Sequence, residues 1–182
     1  MKKFFIALGI LILLVIGALV AYFQSTKSHS PEADVNYVNN GVSIHIFYNR
    51  PSKKGREIFG GLVPYGKVWR TGANEATVFE TSKDLRINGN ILKAGKYTLW
   101  TIPGEQTWTV IFNSEYGQWG VNFDGEANRN PQNDVLSIDA PVLIQDKEFE
   151  QFTISVERGG EEQELIFIWD KTLVSIPFTV ER

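Results

Sequence analysis

Cysteine is absent from this 182-residue chain. That absence excludes a disulfide framework, a thiolate nucleophile, a cysteine metal cluster and a lipidated cysteine anchor. Histidine is scarce, with only His29 and His45, and no nucleophile motif such as G-x-S-x-G occurs. Internal repeats and low-complexity tracts are missing too. Basic residues number 18 against 21 acidic ones, and setting aside Lys2 and Lys3 leaves 16 against 21, a formal charge of -5. An acidic domain repels phosphate backbones, so neither nucleic acid nor anionic lipid head groups are expected as general partners.

Charge is also lacking throughout Phe4 to Phe23, FFIALGILILLVIGALVAYF. About 20 apolar residues is the length an α-helix needs to cross the hydrocarbon core. The expectation is a signal anchor over residues 1–23, a single transmembrane helix. The alternative is a secreted domain released at a small-residue cleavage site, for which Ala18 and Ala21 are the candidates. Lys2 and Lys3 precede the run, so the positive-inside rule places the amino terminus in the cytoplasm and the remainder in the periplasm or exterior. Residues 24–40 are polar, without apolar period, and read as a tether.

What remains, residues 41–182, is roughly 150 residues and fits one domain with a sizeable core. Aromatics are abundant at 13% and Gly numbers 16, a balance that favours strands and turns. Val42 to Tyr48 alternates apolar and polar residues, with His45 on the polar side. Further strands are expected at Thr77 to Thr81, Lys96 to Ile102, Trp108 to Asn113, Val135 to Val142, Phe152 to Glu157, Glu164 to Trp169 and Val174 to Val180. Asn88-Gly89 marks a hairpin within Leu85 to Lys93, because both residues tolerate positive φ. The run Leu165 to Trp169 is apolar on both faces and suggests double cover. Pro177 cannot donate to a ladder and suggests an edge strand. The fold class is all-β, an antiparallel β-sandwich or barrel-like domain after a single N-terminal transmembrane helix.

Two irregular stretches stand out. Ser114 to Asp134 mixes Tyr116, Trp119 and Phe123 with Gly and Asn; its first half is expected to pack and Glu126 to Asn133 to be solvated. Tyr48 to Ser82 is too long for a connector and carries Ile58, Phe59, Leu62, Val63 and Trp69, enough apolar mass to order itself and build a surface. It also holds Arg50, Lys53, Lys54, Arg56, Lys67 and Arg70, a local basic excess able to converge on a carboxylate or phosphate. The bland alternative is a solvated loop with internal pairs, Arg70 to Glu75 among them, and with Asn74 and Glu75 tying the loop down.

Arg50-Pro51-Ser52, Gly55-Arg56, Ile58-Phe59-Gly60, the string VPYGKVWRTGANEAT over 63–77, Ala94-Gly95-Lys96-Tyr97, Ile102-Pro103-Gly104, Trp108 to Asn113 and Gly117-Gln118-Trp119-Gly120 together resemble the bacterial domain of unknown function family 2911. The resemblance covers about Ile44 to Ile138. It implies an exported envelope domain of all-β fold and brings no catalytic residue, since no activity is assigned to the family.

The residues themselves must therefore carry the functional reading. A hydrolase acting on a glycan or ester would draw on Glu75 or His45 as base, with Glu57 or Glu80 as a second carboxyl and Trp69 or Trp119 as a sugar platform. His45 with Glu75 and Glu80 matches no recognised metal spacing, so neither metal nor cofactor is expected. The leading expectation is a non-catalytic binding or interaction domain that uses Arg50, Trp69, Arg70, Asn74, Glu75 and Trp119 to grip a small polar ligand, a glycan or an envelope protein. A purely structural role for the same residues is the remaining alternative.

Overall fold

A computed structural model describes residues 2–39, 41–160 and 162–181, and within the N-terminal helix the side chains of residues 2, 3, 7, 23 and 24 lie outside the described set. The Lys2 and Lys3 side chains, on which the expected orientation rests, are thus outside it, as are the terminal bounds Met1 and Arg182 and the expected junction at Asn40.

Helix α1 spans Lys2–His29 and exposes its apolar side chains. It is long and apolar enough to cross a membrane, as an anchor or as a signal sequence. The expected tether is not an extended linker: α1 continues through it to His29, and strand β1, Glu32–Asn39, follows after only Ser30 and Pro31. The period was there but faint. Ala33, Val35 and Tyr37 alternate with Asp34, Asn36 and Val38, and the first three pack on the core.

The domain is one antiparallel sheet folded over on itself. Beyond β1 its strands are β2 (Val42–Asn49), β3 (Thr77–Thr81), β4 (Leu85–Ile87), β5 (Asn90–Leu92), β6 (Gly95–Ile102), β7 (Thr107–Asn113), β8 (Asp134–Gly159) and β9 (Glu162–Val180). They run in the order β1-β2-β3-β6-β7-β8-β9-β4-β5, with β1 and β5 as its two edges, so the barrel does not close. The fold-over is carried by β8, whose first part pairs with β7 and whose second pairs with β9. Its register shifts between Ile144 and Phe149 and again before Thr153, the bulges that turn the strand from one half to the other.

Period-2 patterning dictates which faces meet. Val42, Ile44, Ile46 and Tyr48 on β2, Phe79 on β3, Trp108, Val110 and Phe112 on β7, and Phe152, Ile154 and Val156 on β8 are all buried in one cluster. Asn88 and Gly89 both take positive φ in the two-residue turn joining β4 to β5. Two expectations fail on β9. Ile166 and Ile168 are half-buried while Leu165, Phe167 and Trp169 fill the core, so the strand is covered on one face rather than two. Pro177 does not mark an edge, because β9 lies between β8 and β4; it sits past the last β8 partner of Val174 and before the first β4 partner of Phe178, where no ladder asks for its missing N–H. The strands expected separately on either side of Asp170 form one element, and Asp170, with φ of 54°, marks where the buried face switches from odd to even positions.

The β2–β3 connection is ordered by the same core. Ile58, Phe59 and Val63 are buried, and Val63 N–H donates to Ile58 at 2.8 Å to close a tight turn. Ile58→Ala is expected to destabilise the domain by about 2–5 kcal/mol, as a strand residue of the core would. Denaturant unfolding of the two proteins checks this, and a loss below about 1 kcal/mol would show that the connection is not part of the core.

Candidate functional site

A cavity of about 680 Å³ opens between the β2–β3 connection and the 120–127 hairpin. Its floor is apolar, made by Val63, Val68, Trp69 and Trp169. Above the floor stand Lys54, Arg56, Lys67 and Arg70, four cations against the single carboxylate of Glu126, while His29 and Ser30 at the end of α1 close one side.

Local bonding explains why the connection presents these groups. Its start is clamped to β8, with Lys53 N–H donating to Glu150 at 2.7 Å and Phe152 N–H to Pro51 at 3.0 Å. Arg50 joins this clamp, its Nε donating to the Phe152 carbonyl and its Nη2 to Thr153 Oγ1 at 2.8 Å. Lys53 is consumed by Asp170 at 2.7 Å and Glu148 at 2.9 Å, and Arg56 by the Ser52 and Lys53 carbonyls. Lys54 and Lys67 have no ion pair among the described residues.

The second half of the connection is held by Trp69 and by a buried polar knot. Trp69 and Thr101 exchange backbone bonds of 2.7 and 2.9 Å. The Trp69 ring is half-buried: it lies 4.9 Å from Phe152 and stacks on Trp169 at 6.1 Å, and its indole N–H donates to the Gly72 carbonyl. Thr71 follows with φ of 55°, a costly conformation for a β-branched residue, and is kept there by Thr77 Oγ1 donating to its carbonyl at 2.6 Å. Asn49 is the centre of the knot, accepting from Asn74 Nδ2 at 3.2 Å and donating to Glu75 Oε2 at 2.9 Å. The other Glu75 oxygen takes Lys27 of α1 at 3.1 Å.

These bonds leave Arg70 without the expected partner. Glu75 is turned to Asn49 and Lys27 and forms no ion pair with Arg70. Nε and Nη1 of Arg70 are shielded from solvent with no hydrogen-bond partner among the described residues. Burial pushes the guanidinium below its ordinary pKa, and the field of Glu75 only partly opposes this. Gly120 makes room for the side chain: a Cβ there would lie 2.5 Å from Arg70 Cδ and 3.1 Å from the Asn74 carbonyl, at a backbone φ of 100°.

Of the six residues expected to bind a ligand, Trp69 and Arg70 line the cavity, whereas Arg50, Asn74 and Glu75 are bonded to neighbouring chain and Trp119 is half-buried beside it in sequence. Among the hydrolase candidates, His45 pairs with Asp34 at 2.7 Å on the outer face, with Glu80 opposite it in register, and Glu57, Glu75 and Glu80 are not among the cavity residues. No group of three potential metal ligands occurs among the described residues. Sequence reasoning missed Trp169, the end of α1 and the 121–127 hairpin. The hairpin had a signal in Asp124-Gly125, and it closes through Asn122 Oδ1, which accepts from Asp124 and Glu126 N–H at 3.0 Å. The expected solvation holds only in part: Glu126 and Asn130 to Gln132 are exposed, but Ala127 to Arg129 are half-buried, with Arg129 paired with Asp134, and Phe123, in the half expected to pack, is fully exposed at the tip.

The chain belongs to the family described as Protein of unknown function (DUF2911), whose match runs over residues 30–178 and so takes in β1 and most of β9 as well as the stretch on which the resemblance was read. No curated protein and no solved structure matches. Family membership thus covers the whole cavity floor and leaves its use to be argued from geometry. Gly120→Ala is expected to destabilise the domain by about 1–3 kcal/mol through backbone strain and to displace Arg70. Thermal unfolding together with a structure of the variant checks both; an unmoved Arg70 would mean that the hairpin does not position it.

Proposed function

We propose that this chain is a non-catalytic binding module of the bacterial envelope, held by α1 at the outer face of the cytoplasmic membrane, which takes a small anionic ligand in the cavity beside Arg70. The orientation rests on Lys2 and Lys3 preceding the apolar run. The observation that carries the binding reading is the half-buried Arg70, whose Nε and Nη1 are shielded from solvent and unpartnered in the cavity wall.

An arginine that served only to hold the connection together would be paired, since a buried donor without a partner costs about 1–3 kcal/mol. Arg50 shows what such pairing looks like, with bonds to the β8 backbone and Thr153. Arg70 instead has only the partial field of Glu75 and no ion pair, in a cavity wall it shares with Lys54 and Lys67, which also lack ion pairs among the described residues. A carboxylate or phosphate in the cavity supplies the missing counter-charge, and the Trp69 and Trp169 floor accepts whatever apolar part the anion carries.

This reading fixes a sign. Arg70→Met removes an unpaired buried charge while keeping most of the side-chain volume, so the unliganded protein is expected to keep or gain stability. Binding of an anionic ligand is expected to fall by about 10- to 100-fold, the worth of one charge-assisted bond of roughly 1.5–3 kcal/mol. Thermal unfolding with and without a panel of carboxylates and phosphate esters measures both. A destabilised Arg70→Met protein whose wild-type parent responds to no anion would establish a structural role instead.

A further inference from the structure

We infer that the anion is the phosphate-bearing head group of an acidic membrane lipid, drawn from the leaflet out of which α1 emerges. This deepens the anion-binding reading and rests on it. Three independent observations bear on the source of the anion.

The first is height. The apolar run ends at Phe23 and α1 continues for six more residues to His29, which lines the cavity. At about 1.5 Å per residue that places His29 roughly 9 Å beyond the hydrocarbon. The polar head-group layer of one leaflet is about 5–8 Å thick. The cavity wall therefore begins at the surface of the lipid head groups.

The second is the rigid seat. Only Ser30 and Pro31 separate α1 from β1, and Ser30 is buried. Arg50 N–H donates to the Pro31 carbonyl at 2.8 Å, and Lys27 on α1 pairs with both Glu32 and Glu75. The junction is bonded on both sides, so the domain does not swing freely away from the helix end.

The third is the rim. Leu62 is 45% exposed, Tyr65 41% and Phe123 fully exposed, at the two turns that flank the cavity. Exposed aromatic and aliphatic side chains beside cations are the composition of a membrane-interface surface. A water-soluble phosphate ester gives these side chains nothing to contact, whereas a leaflet surface beside the cavity lets them sit among the head groups while a lipid phosphate reaches Arg70, Lys54 and Lys67. The domain's net negative charge does not oppose this, because exposed charges more than about 8 Å away are largely screened at physiological salt.

The test uses the full chain in dodecyl maltoside micelles, titrated with dihexanoyl phosphatidylglycerol, dihexanoyl phosphatidylcholine and glycerol 3-phosphate, with tryptophan fluorescence reporting on the Trp69 and Trp169 floor. Saturable binding of the phosphatidylglycerol is expected, at least about tenfold tighter than either other compound, with about tenfold loss in Arg70→Met and in the surface double variant Lys54→Gln, Lys67→Gln. Equal binding of phosphatidylglycerol and glycerol 3-phosphate would overturn the lipid source and leave the anion site standing. Equal binding of the two lipids would overturn the assignment to an acidic lipid, and binding indifferent to both sets of variants would overturn the assignment to this cavity. A response to none of the three would remove the phosphate reading together with the lipid one.

Discussion

Everything at the cavity depends on Trp69 being held at both ends of its side chain. Its ring lies against Phe152, Trp108, Trp169 and Phe59, and its indole N–H reaches forward to Gly72. A long connection loses much conformational entropy when ordered, about 1–2 kcal/mol per residue for the backbone alone. Burial of large aromatic surface is the term that offsets such a loss, because an aromatic side chain removes more apolar area from water than any other and adds edge-to-face contacts. With Trp69 fixed, the next residue is fixed too, and that residue is Arg70. The position of the cation is thus set by the packing of its neighbour and not by a bond of its own.

The strands were legible because their information is local. Val42 to Tyr48, Thr77 to Thr81 and Trp108 to Phe112 each carry an apolar-polar alternation that needs no knowledge of the partner strand, and Asn88-Gly89 needs only its own two φ angles. What lay beyond reach was long-range. Residues 143–151 have no alternation and are mostly exposed, so nothing in them announces that β8 runs on through two register shifts into the other half of the sheet. Strand β1 was hidden for a related reason: its inward residues are Ala33, Val35 and Tyr37, small or amphipathic side chains that cover a core rather than fill it. The pairing of Arg70 with Glu75, five residues apart, was a sound local guess. It failed because Asn49 and Lys27, distant in sequence, bind Glu75 first.

Charge shows the same division between sum and place. A formal -3 for the chain describes only its far field, from which the expectation against anionic partners was drawn. It says little about a cavity a few ångströms across whose wall carries Lys54, Arg56, Lys67 and Arg70. Acidic residues are spent elsewhere, Asp170 and Glu148 on Lys53, Asp84 on Lys93, Glu181 on Arg86 and Asp34 on His45, and each such pair removes a carboxylate from the near field of the cavity.

The energetics of Arg70 then separate a fold requirement from a retained function. A connection built for stability alone could place an aliphatic side chain at this position, since Arg70 Cδ packs close against Gly120 and Trp69 and Val68 line the same wall. A guanidinium in the same place loses hydration at Nε and Nη1 and regains no bond from the protein. Features that cost stability in the free protein and are compensated only when something arrives are the usual mark of a binding site. The neighbouring strain has the same character: Thr71, β-branched and buried, is held at positive φ directly after Arg70 by Thr77 and Thr101, so that the chain turns while the cation stays in the cavity wall. Two adjacent residues each give up stability where one cation is kept in the cavity wall, with only the field of Glu75 to oppose its desolvation.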